Sequence, residues 1–168
     1  MEPSSSERYS FRRLGLWQKA QSFAVEVAKL VDSLPHRRST DVAGRQLVRA
    51  ATSVAANIAE GHGRFTLPAY RNHLSIAKGS TCEAQSWLDL LLRLGHLDGA
   101  TAERLDGVCG DLVAALTHHI RLLEQKEKQR RVSEVGSDYG TDTEDMETGS
   151  KVPGFHDSEV PRSSGTML

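Results

Sequence analysis

The sequence predicts an all-α protein, an antiparallel up-down-up-down four-helix bundle with a disordered acidic C-terminal tail. Apolar residues recur at three- and four-residue spacing in four segments, the pattern of helices that bury one face. Short polar connections containing Pro or Gly separate these segments, and short connections favour antiparallel neighbours. From Val132 the periodicity ends and Ser, Gly, Thr, Asp and Glu dominate, a composition typical of disorder. We therefore predict a flexible N-terminus at 1–13, a bundle at 14–128 and the tail at 132–168.

The first helix is predicted from about Leu16 to the residue before Pro35. That residue avoids the helical conformation, so Pro35 ends the helix. The broad apolar face of this helix comprises Trp17, Ala20, Phe23, Ala24, Val27, Leu30, Val31 and Leu34.

The second helix is predicted to begin near Asp41, with Asp41 or Thr40 as its N-cap. Gly61 is predicted to follow the helix in the left-handed conformation, which costs a glycine nothing. The helix is rich in alanine and therefore narrow, so neighbours can approach it closely. Its buried stripe comprises Leu47, Ala50, Ala51, Val54, Ile58 and Ala59.

The third helix is predicted to begin at a Thr66 cap, with Pro68 in the first turn, where a missing N–H costs little. Gly95 is predicted to end it, with Leu97 folding back on the last turn as in a Schellman ending. Its stripe comprises Tyr70, Leu74, Ala77, Thr81, Ala84, either Trp87 or Leu88, and Leu91.

The fourth helix is predicted to be capped by Asp98 and to close on a charged end at 124–131, where cations suit the helix dipole. Gly107 and Gly110 lower its stability by about 1 kcal/mol each relative to alanine. They either permit close packing or mark local softness. The apolar face comprises Ala102, Leu105, Val108, Cys109, Leu112, Leu116, Ile120 and Leu123.

Cysteine usage and hydropathy suggest a compartment. Cys82 and Cys109 fall on or beside apolar helical positions and form no disulfide framework, so we interpret both as buried free thiols. Such thiols suit a reducing cytoplasm. The N-terminus lacks the apolar core of a secretory signal, and the run Ala50–Ala59 is far shorter than the roughly 20 residues that span a membrane. We expect a cytoplasmic protein without a membrane partner.

Charge is divided unevenly along the chain. Residues 1–131 hold 19 Lys/Arg and 14 Asp/Glu, a net of +5, whereas residues 132–168 hold 2 and 8, a net of −6. A basic body predicts RNA or DNA binding through phosphates, with strong salt dependence. The alternative is solvated charge with local ion pairs, and both the scarcity of aromatic residues for base stacking and the acidic tail favour that alternative. The candidate nucleic-acid-binding residues are Arg45, Arg49, Arg64, Arg71, Lys78, Arg121, Lys126, Lys128, Arg130 and Arg131.

Four segments carry distinctive motifs: LWQKA at 16–20, VAANIAEGHGR at 54–64, residues 70–80 and LGHL at 94–97. Together they resemble a bacterial family of four-helix bundles, the 23S rRNA intervening-sequence proteins. LWQKA at 16–20 resembles the family's opening L-x-V-W-Q-K-A. VAANIAEGHGR at 54–64 resembles its central S-x-x-x-N-I-A-E-G-x-G-R, with Ser53 at the family's serine. Residues 70–80 resemble F-x-x-x-L…A-x-G-S, and LGHL at 94–97 resembles the helix ending L-G-Y-L.

The resemblance spans about residues 11–126 and implies a bundle that assembles as a homopentamer. Some members are encoded inside insertions in 23S rRNA genes. Relatives are accessory proteins of diversity-generating retroelements, basic pentameric barrels that bind a reverse transcriptase and nucleic acid. No enzymatic activity or cofactor is implied, and the tail has no counterpart. The structural signature that this chain shares with the family comprises Trp17, Asn57, Glu60, Gly61, Gly63, Gly79 and Gly95.

Asn57 and Glu60 admit two interpretations. They form part of a ligand site, or they form a polar clamp. In the clamp, Asn57 bonds to a neighbouring helix or subunit, and Glu60 pairs with Arg64, Lys19 or an arginine of another subunit. Residues 61–64 lack phosphate-loop spacing and are interpreted as a helix-ending turn, which could still receive an anion at the start of the third helix.

No catalytic or metal-ligating pattern is apparent in the sequence. The histidines show no His-x-x-x-His spacing, the glutamates no Glu-x-x-His spacing, and Ser53 has no histidine nearby in sequence. Trp17 and Trp87 are interpreted as core or subunit-interface anchors. The leading hypothesis is a non-enzymatic homo-oligomer that docks nucleic acid or an enzyme acting on it. The rival is a protein scaffold whose acidic tail recruits a partner, and a small-molecule enzyme comes third.

Overall fold

A computed structural model describes residues 10–138, without the side chains of 134–138. The described residues form four α-helices and no strand, which confirms the all-α prediction. A single 3-10 turn, Phe11–Arg13, precedes them. The helices are α1 (Gly15–Ser33), α2 (Arg38–His62), α3 (Leu67–Arg93) and α4 (Gly99–Asp138).

Contacts between consecutive helices pair one end of a helix with the opposite end of the next. In the α2–α3 pair, Asn57 lies against His73 and Ser53 against Ser80. In the α3–α4 pair, Arg71 bonds to Glu127, near the far end of α4. These registers are those of antiparallel neighbours. Helix α1 packs chiefly on α2 and reaches α4 through an ion pair between Glu26 and Arg104.

The predicted apolar stripes meet in one core. Of the two alternatives on α3, Leu88 is the buried residue, whereas Trp87 is half-buried. The largest fully buried apolar side chains come from all four helices: Phe23, Val27, Leu47, Val54, Ile58, Leu74, Leu88, Leu91, Leu105, Leu112 and Leu116.

Helix α2 is narrow, as predicted, because its buried face carries Ala43, Gly44, Ala50, Ala51 and Ala55. A Cβ atom at Gly44 would lie 2.8 Å from Cγ1 of Val31. Helix α1 therefore approaches α2 at a distance that a side chain at position 44 would prevent.

The predicted N-cap of α2 is wrong. The helix begins at Arg38, its cap residue is Arg37 in an extended conformation, and the Arg37 side chain makes no capping hydrogen bond. Thr40 is instead buried inside the helix, and its Oγ1 has no hydrogen-bond partner among the described residues. Asp41 remains near the N-terminus, where a carboxylate suits the helix dipole.

The predicted role of Gly61 as a left-handed terminating residue is also wrong. Helix α2 continues through His62, and its cap residue Gly63 has a right-handed φ of −78°. Gly61 is buried within the helix, and a Cβ there would lie 2.7 Å from Cδ2 of Tyr70 and 2.9 Å from Cβ of His73. The position lacks a side chain because α3 crosses against it.

The other helix ends match the sequence. Thr66 Oγ1 accepts the Ala69 N–H at 3.4 Å, with Pro68 in the first turn. Gly95 has a φ of +68°. The His96 N–H reaches the carbonyl of Leu91 at 3.0 Å, which is the long bond of a Schellman ending, and Leu97 is buried.

Asp98 is the cap of α4, as predicted. Its Oδ1 accepts the Thr101 N–H at 2.9 Å. This hydrogen bond to the carboxylate lowers the pKa of Asp98.

Helical structure is present on both sides of residues 14–128. Phe11 packs edge-on against Trp17, with ring centroids 5.1 Å apart, so part of the segment predicted to be flexible is folded. Helix α4 continues past Val132 to Asp138. Residues 1–9 and 139–168, which include most of the predicted tail, lie outside the described residues.

Three further residues settle open points of the sequence. Gly107 and Gly110 are exposed, and a Cβ at either would meet no atom within 4 Å, so neither permits close packing within the described chain. Cys82 is exposed, contrary to the prediction, because it lies one position past the buried Thr81 on the solvent side of α3.

Candidate functional site

A polar cluster joins the last turns of α2 to α3, and it contains much of the signature motif. Asn57 and Glu60 lie one turn apart on α2, Arg64 follows the helix, and His73 faces them from α3. The antiparallel register brings these four residues together.

His73 is the centre of this cluster. The Arg64 Nε–H donates to its Nε2 at 3.0 Å. Because a guanidinium only donates, Nε2 must be unprotonated and a neutral ring carries its proton on Nδ1. Nδ1 lies 3.4 Å from Asn57 Oδ1 and 3.6 Å from Glu60 Oε2, so its N–H faces both acceptors.

The network continues from Asn57 along the helix interface. Asn57 Nδ2 donates to the carbonyl of Ser53 at 2.9 Å and to its Oγ at 3.0 Å. Ser53 Oγ lies 3.0 Å from Oγ of Ser80 on α3. A continuous run of hydrogen bonds therefore ties α2 to α3 from Arg64 to Ser80.

Glu60 pairs with Arg64, one of the cationic partners predicted for it. Its Oε2 lies 3.7 Å from Nη2 of Arg64. Both side chains are more than half exposed, so water screens the pair and its contribution to stability is about 0–1 kcal/mol. Burial supports the hydrogen bonds of His73 more strongly, because only 14% of that side chain is exposed.

The cluster has the contacts of a clamp. Both ring nitrogens of His73 face partners, and Ser53 faces Asn57 and Ser80, so no serine–histidine pair is formed by these residues. Sequence reasoning missed His73 and Ser80 as partners. The only signal that could have indicated them is the register of two antiparallel helices counted back from the 63–66 turn.

Six of the ten candidate nucleic-acid-binding residues lie near one end of the bundle, and the other four lie elsewhere. One group gathers at what we term the turn end, the α2–α3 turn at 63–66 with the adjacent ends of α3 and α4. Arg45 and Arg49 lie in the first half of α2, toward the opposite end, and Lys78 and Arg121 lie farther along α3 and α4. The residues at the turn end are Arg64, Arg71, Lys126, Lys128, Arg130 and Arg131.

Arg71 and Arg64 are held by partners within the chain. Arg71 Nη1 bonds to Oε2 of Glu127 at 2.9 Å, and only 12% of the Glu127 side chain is exposed. Arg64 is engaged by His73 and Glu60. Arg71 therefore fastens α3 to α4, a role that its sequence position did not indicate.

A groove of about 570 Å³ opens at the turn end. One wall is the turn and the start of α3, and the other is α4. Phe65 is fully exposed beside it, and Oε1 of Glu127 is buried without a hydrogen-bond partner in the described structure. The lining residues are Phe65, Thr66, Leu67, Pro68, Glu127, Arg130 and Arg131.

Both tryptophans are half-buried at the edge of the core. Trp17 packs against Phe11 and lines a shallow groove of about 620 Å³ along α1. The Trp87 indole N–H points to Oε1 of Glu83 at 3.4 Å. Each leaves an apolar surface accessible to a neighbouring molecule.

Within residues 10–133, no three His, Cys, Asp or Glu side chains gather in a metal-binding arrangement. Over the described helices, no segment combines the length and apolar character needed to cross a bilayer.

Comparison with known proteins connects this bundle to a family. The sequence matches the 23S rRNA-intervening sequence protein family over residues 12–118. A 1.70 Å crystal structure of a protein with unknown function from the S23 ribosomal protein family of Bacteroides thetaiotaomicron VPI-5482 has 27% identity and a TM-score of 0.59. The alignment covers 62% of this chain and 97% of that one. No curated protein matches the sequence.

The matched segment contains the whole polar cluster and stops before the basic end of α4. Because the match covers most of the chain and the fold agrees, the chain belongs to the 23S rRNA-intervening sequence protein family.

Proposed function

We propose that this protein is a non-enzymatic, cytoplasmic homo-oligomer that docks nucleic acid, or a nucleic-acid enzyme such as a reverse transcriptase, through its basic turn end. We further propose that each chain is an up-down-up-down bundle and that five copies assemble as a homopentamer. The observation that carries the proposal is the gathering of six candidate cations at the turn end, although they are spread over residues 64–131 in sequence.

The charge of α4 strengthens this end. Between residues 121 and 131 the helix has five Lys/Arg and two Asp/Glu, a net of +3 per chain. One of the two acidic residues, Glu127, is bound to Arg71. Symmetric assembly would repeat this charge in every subunit, and phosphates that replace counterions there would gain affinity.

Binding of a structured RNA, measured by fluorescence anisotropy across a salt series, tests the polyanion proposal. We expect the logarithm of the binding constant to fall linearly with the logarithm of salt concentration, because each phosphate contact releases counterions. Lys128→Ala with Arg131→Ala should weaken binding more than the control pair Arg45→Ala with Arg49→Ala, which lies away from the turn end. Absent or salt-insensitive binding would overturn the proposal.

Light scattering on the purified protein tests the assembly. A pentamer has about five times the 18.4 kDa chain mass. A monomeric mass would remove the pentamer and the repeated charge with it.

A protein scaffold whose tail recruits a partner is the second candidate. Two observations favour it: Arg64 and Arg71 are engaged within the chain, and residues 132–168 carry a net charge of −6. Deleting residues 139–168 leaves α4 intact and separates the two functions. If the tail masks the turn end, the deletion tightens RNA binding. If the tail recruits a protein, the deletion abolishes co-purification of that protein, and RNA binds neither form.

A further inference from the structure

Phe65 lies in the α2–α3 turn, and its exposed fraction is 106%. Its position immediately precedes the Thr66 N-cap. An apolar residue there commonly packs on the fourth residue of the following helix, which in α3 is Tyr70. Tyr70 instead packs against Gly61, and Phe65 stays entirely in water. The Phe65 ring therefore does not make the contact with Tyr70 that is usual for an apolar residue at this position.

A single exposed apolar side chain needs no explanation, but the surroundings of Phe65 are specific. Phe65 lines the turn-end groove opposite Arg130 and Arg131 of α4. Glu127 also lines the groove, and its ion pair with Arg71 reduces the repulsion it would exert on an anion. The groove therefore combines an open aromatic face with a cationic wall.

This combination fits one class of ligand. Proteins bind single strands without sequence preference by stacking bases on aromatic rings and by holding the backbone with positive charge. A duplex hides the faces of its bases in its own stack, so an exposed ring offers it much less. A volume of about 570 Å³ lies within the range of small-ligand pockets, so it can receive one nucleotide.

We propose that Phe65 and Arg131 form a binding site for single-stranded nucleic acid, in which one base stacks on the Phe65 ring and an adjacent phosphate pairs with Arg131. The inference rests on the proposed function and adds that the preferred ligand is single-stranded. It also answers the sequence-based objection that few aromatic residues are available for stacking.

The test measures anisotropy of labelled 12-nucleotide oligo(A) as RNA and as DNA, and of 12-base-pair RNA and DNA duplexes. Phe65→Ala should weaken single-strand binding by at least about fivefold, because a stacked base contributes that much or more. Duplex affinity should change less than twofold. Phe65→Tyr keeps the ring and should bind as the wild type does. Leu94→Ala, which truncates an exposed apolar residue in the turn at the opposite end, is the matched control.

A 2-aminopurine base in the single strand gives a second readout. Its fluorescence should change on binding to the wild type and to Phe65→Tyr, because the base leaves its neighbours in the strand to stack on the ring, and much less on binding to Phe65→Ala at saturation. If the wild type binds nucleic acid but Phe65→Ala matches it in affinity and fluorescence change, the site is overturned and the proposed function stands. If Phe65→Ala weakens single strands and duplexes equally, stacking is likewise overturned. If the wild type binds no nucleic acid, the proposed function itself fails.

Discussion

At the scale of the residue, Gly61 shows how a motif position acquires its identity from a neighbouring helix. The sequence motif suggested conformational freedom, yet Gly61 is helical, buried and crossed by α3. The atoms that a Cβ would meet belong to the Tyr70 ring and to His73 Cβ, and neither is the free end of a flexible chain. The requirement at position 61 is therefore for space.

We expect Gly61→Ala to destabilise the protein. Overpacking of this kind costs about 1–3 kcal/mol, and alanine's better helix propensity returns about 1 kcal/mol. Gly79→Ala is the matched control, because Gly79 is exposed in α3 and a Cβ there meets nothing within 4 Å. Urea unfolding at a fixed protein concentration should give a lower midpoint for the first variant and a higher one for the second. A Gly61→Ala variant stabilised as much as Gly79→Ala would refute the close approach.

The two cysteines should differ sharply in reactivity. Burial, with smaller contributions from the charges of Asp106 and Cys82, raises the pKa of Cys109 to about 12. At pH 8 its reactive thiolate is essentially absent, whereas Cys82 is exposed on α3. A chromogenic disulfide reagent at pH 8 should therefore label one thiol of the native chain and a second only after unfolding. Cys82→Ser should abolish the native reaction, and labelling of the native Cys82→Ser variant would contradict the buried position of Cys109.

The raised pKa of Cys109 also determines how its contribution to stability changes with pH. The folded state holds the thiol proton more tightly than the unfolded chain, whose thiol has a pKa of about 9.0. This contribution is fully present below pH 9 and is lost as the pH rises toward 12.

At the scale of the element, the sequence predicted the features that depend on local chemistry, namely buried helix faces and capped helix ends. Periodicity identified the buried faces of all four helices, and Thr66, Gly95 and Asp98 identified three helix ends. The start of α2 could not be predicted, because its cap residue Arg37 makes no side-chain bond that a pattern could reveal. The end of α2 was misplaced because a glycine that makes room for α3 looks the same in sequence as one that terminates a helix.

In the interior of helix α4, a Cβ added at Gly107 or Gly110 would meet no atom of the described chain within 4 Å. Gly107→Ala and Gly110→Ala should each raise the free energy of unfolding by about 1 kcal/mol, since each restricts the unfolded chain and adds no clash. Chemical unfolding measures the gain, and light scattering should show an unchanged mass. A loss of assembly in either variant would mean that a second subunit packs against this face and needs the space.

At the scale of the whole molecule, the functional surface depends on register. The ten candidate cations could be named from composition, but which of them share a surface could not. That outcome follows from the antiparallel arrangement, which places the beginning of α3 against residues near 127 of α4. The same register also neutralises part of the positive charge at the turn end, because it places Glu127 in an ion pair of 2.9 Å with Arg71.

The Arg71–Glu127 pair therefore stabilises the fold but withholds one cation from RNA. Alanine substitutions of its two members should have different effects. Arg71→Ala leaves the largely buried Glu127 carboxylate without its cation, which should cost about 1–3 kcal/mol. Glu127→Ala leaves Arg71, whose side chain is 36% exposed, in contact with water, so its cost in unfolding free energy should be smaller.

RNA binding by the two variants should diverge in the opposite sense. Glu127→Ala frees one cation at the turn end, so affinity should rise and the salt slope should steepen by about 0.7–0.9, the value of one added phosphate contact. Arg71→Ala should leave the slope unchanged, because Arg71 is already bound within the fold, whereas Arg131→Ala should make it shallower by the same amount. A slope that falls in Arg71→Ala would show that Arg71 leaves Glu127 to contact the ligand, and the pair would then be a contact that binding exchanges.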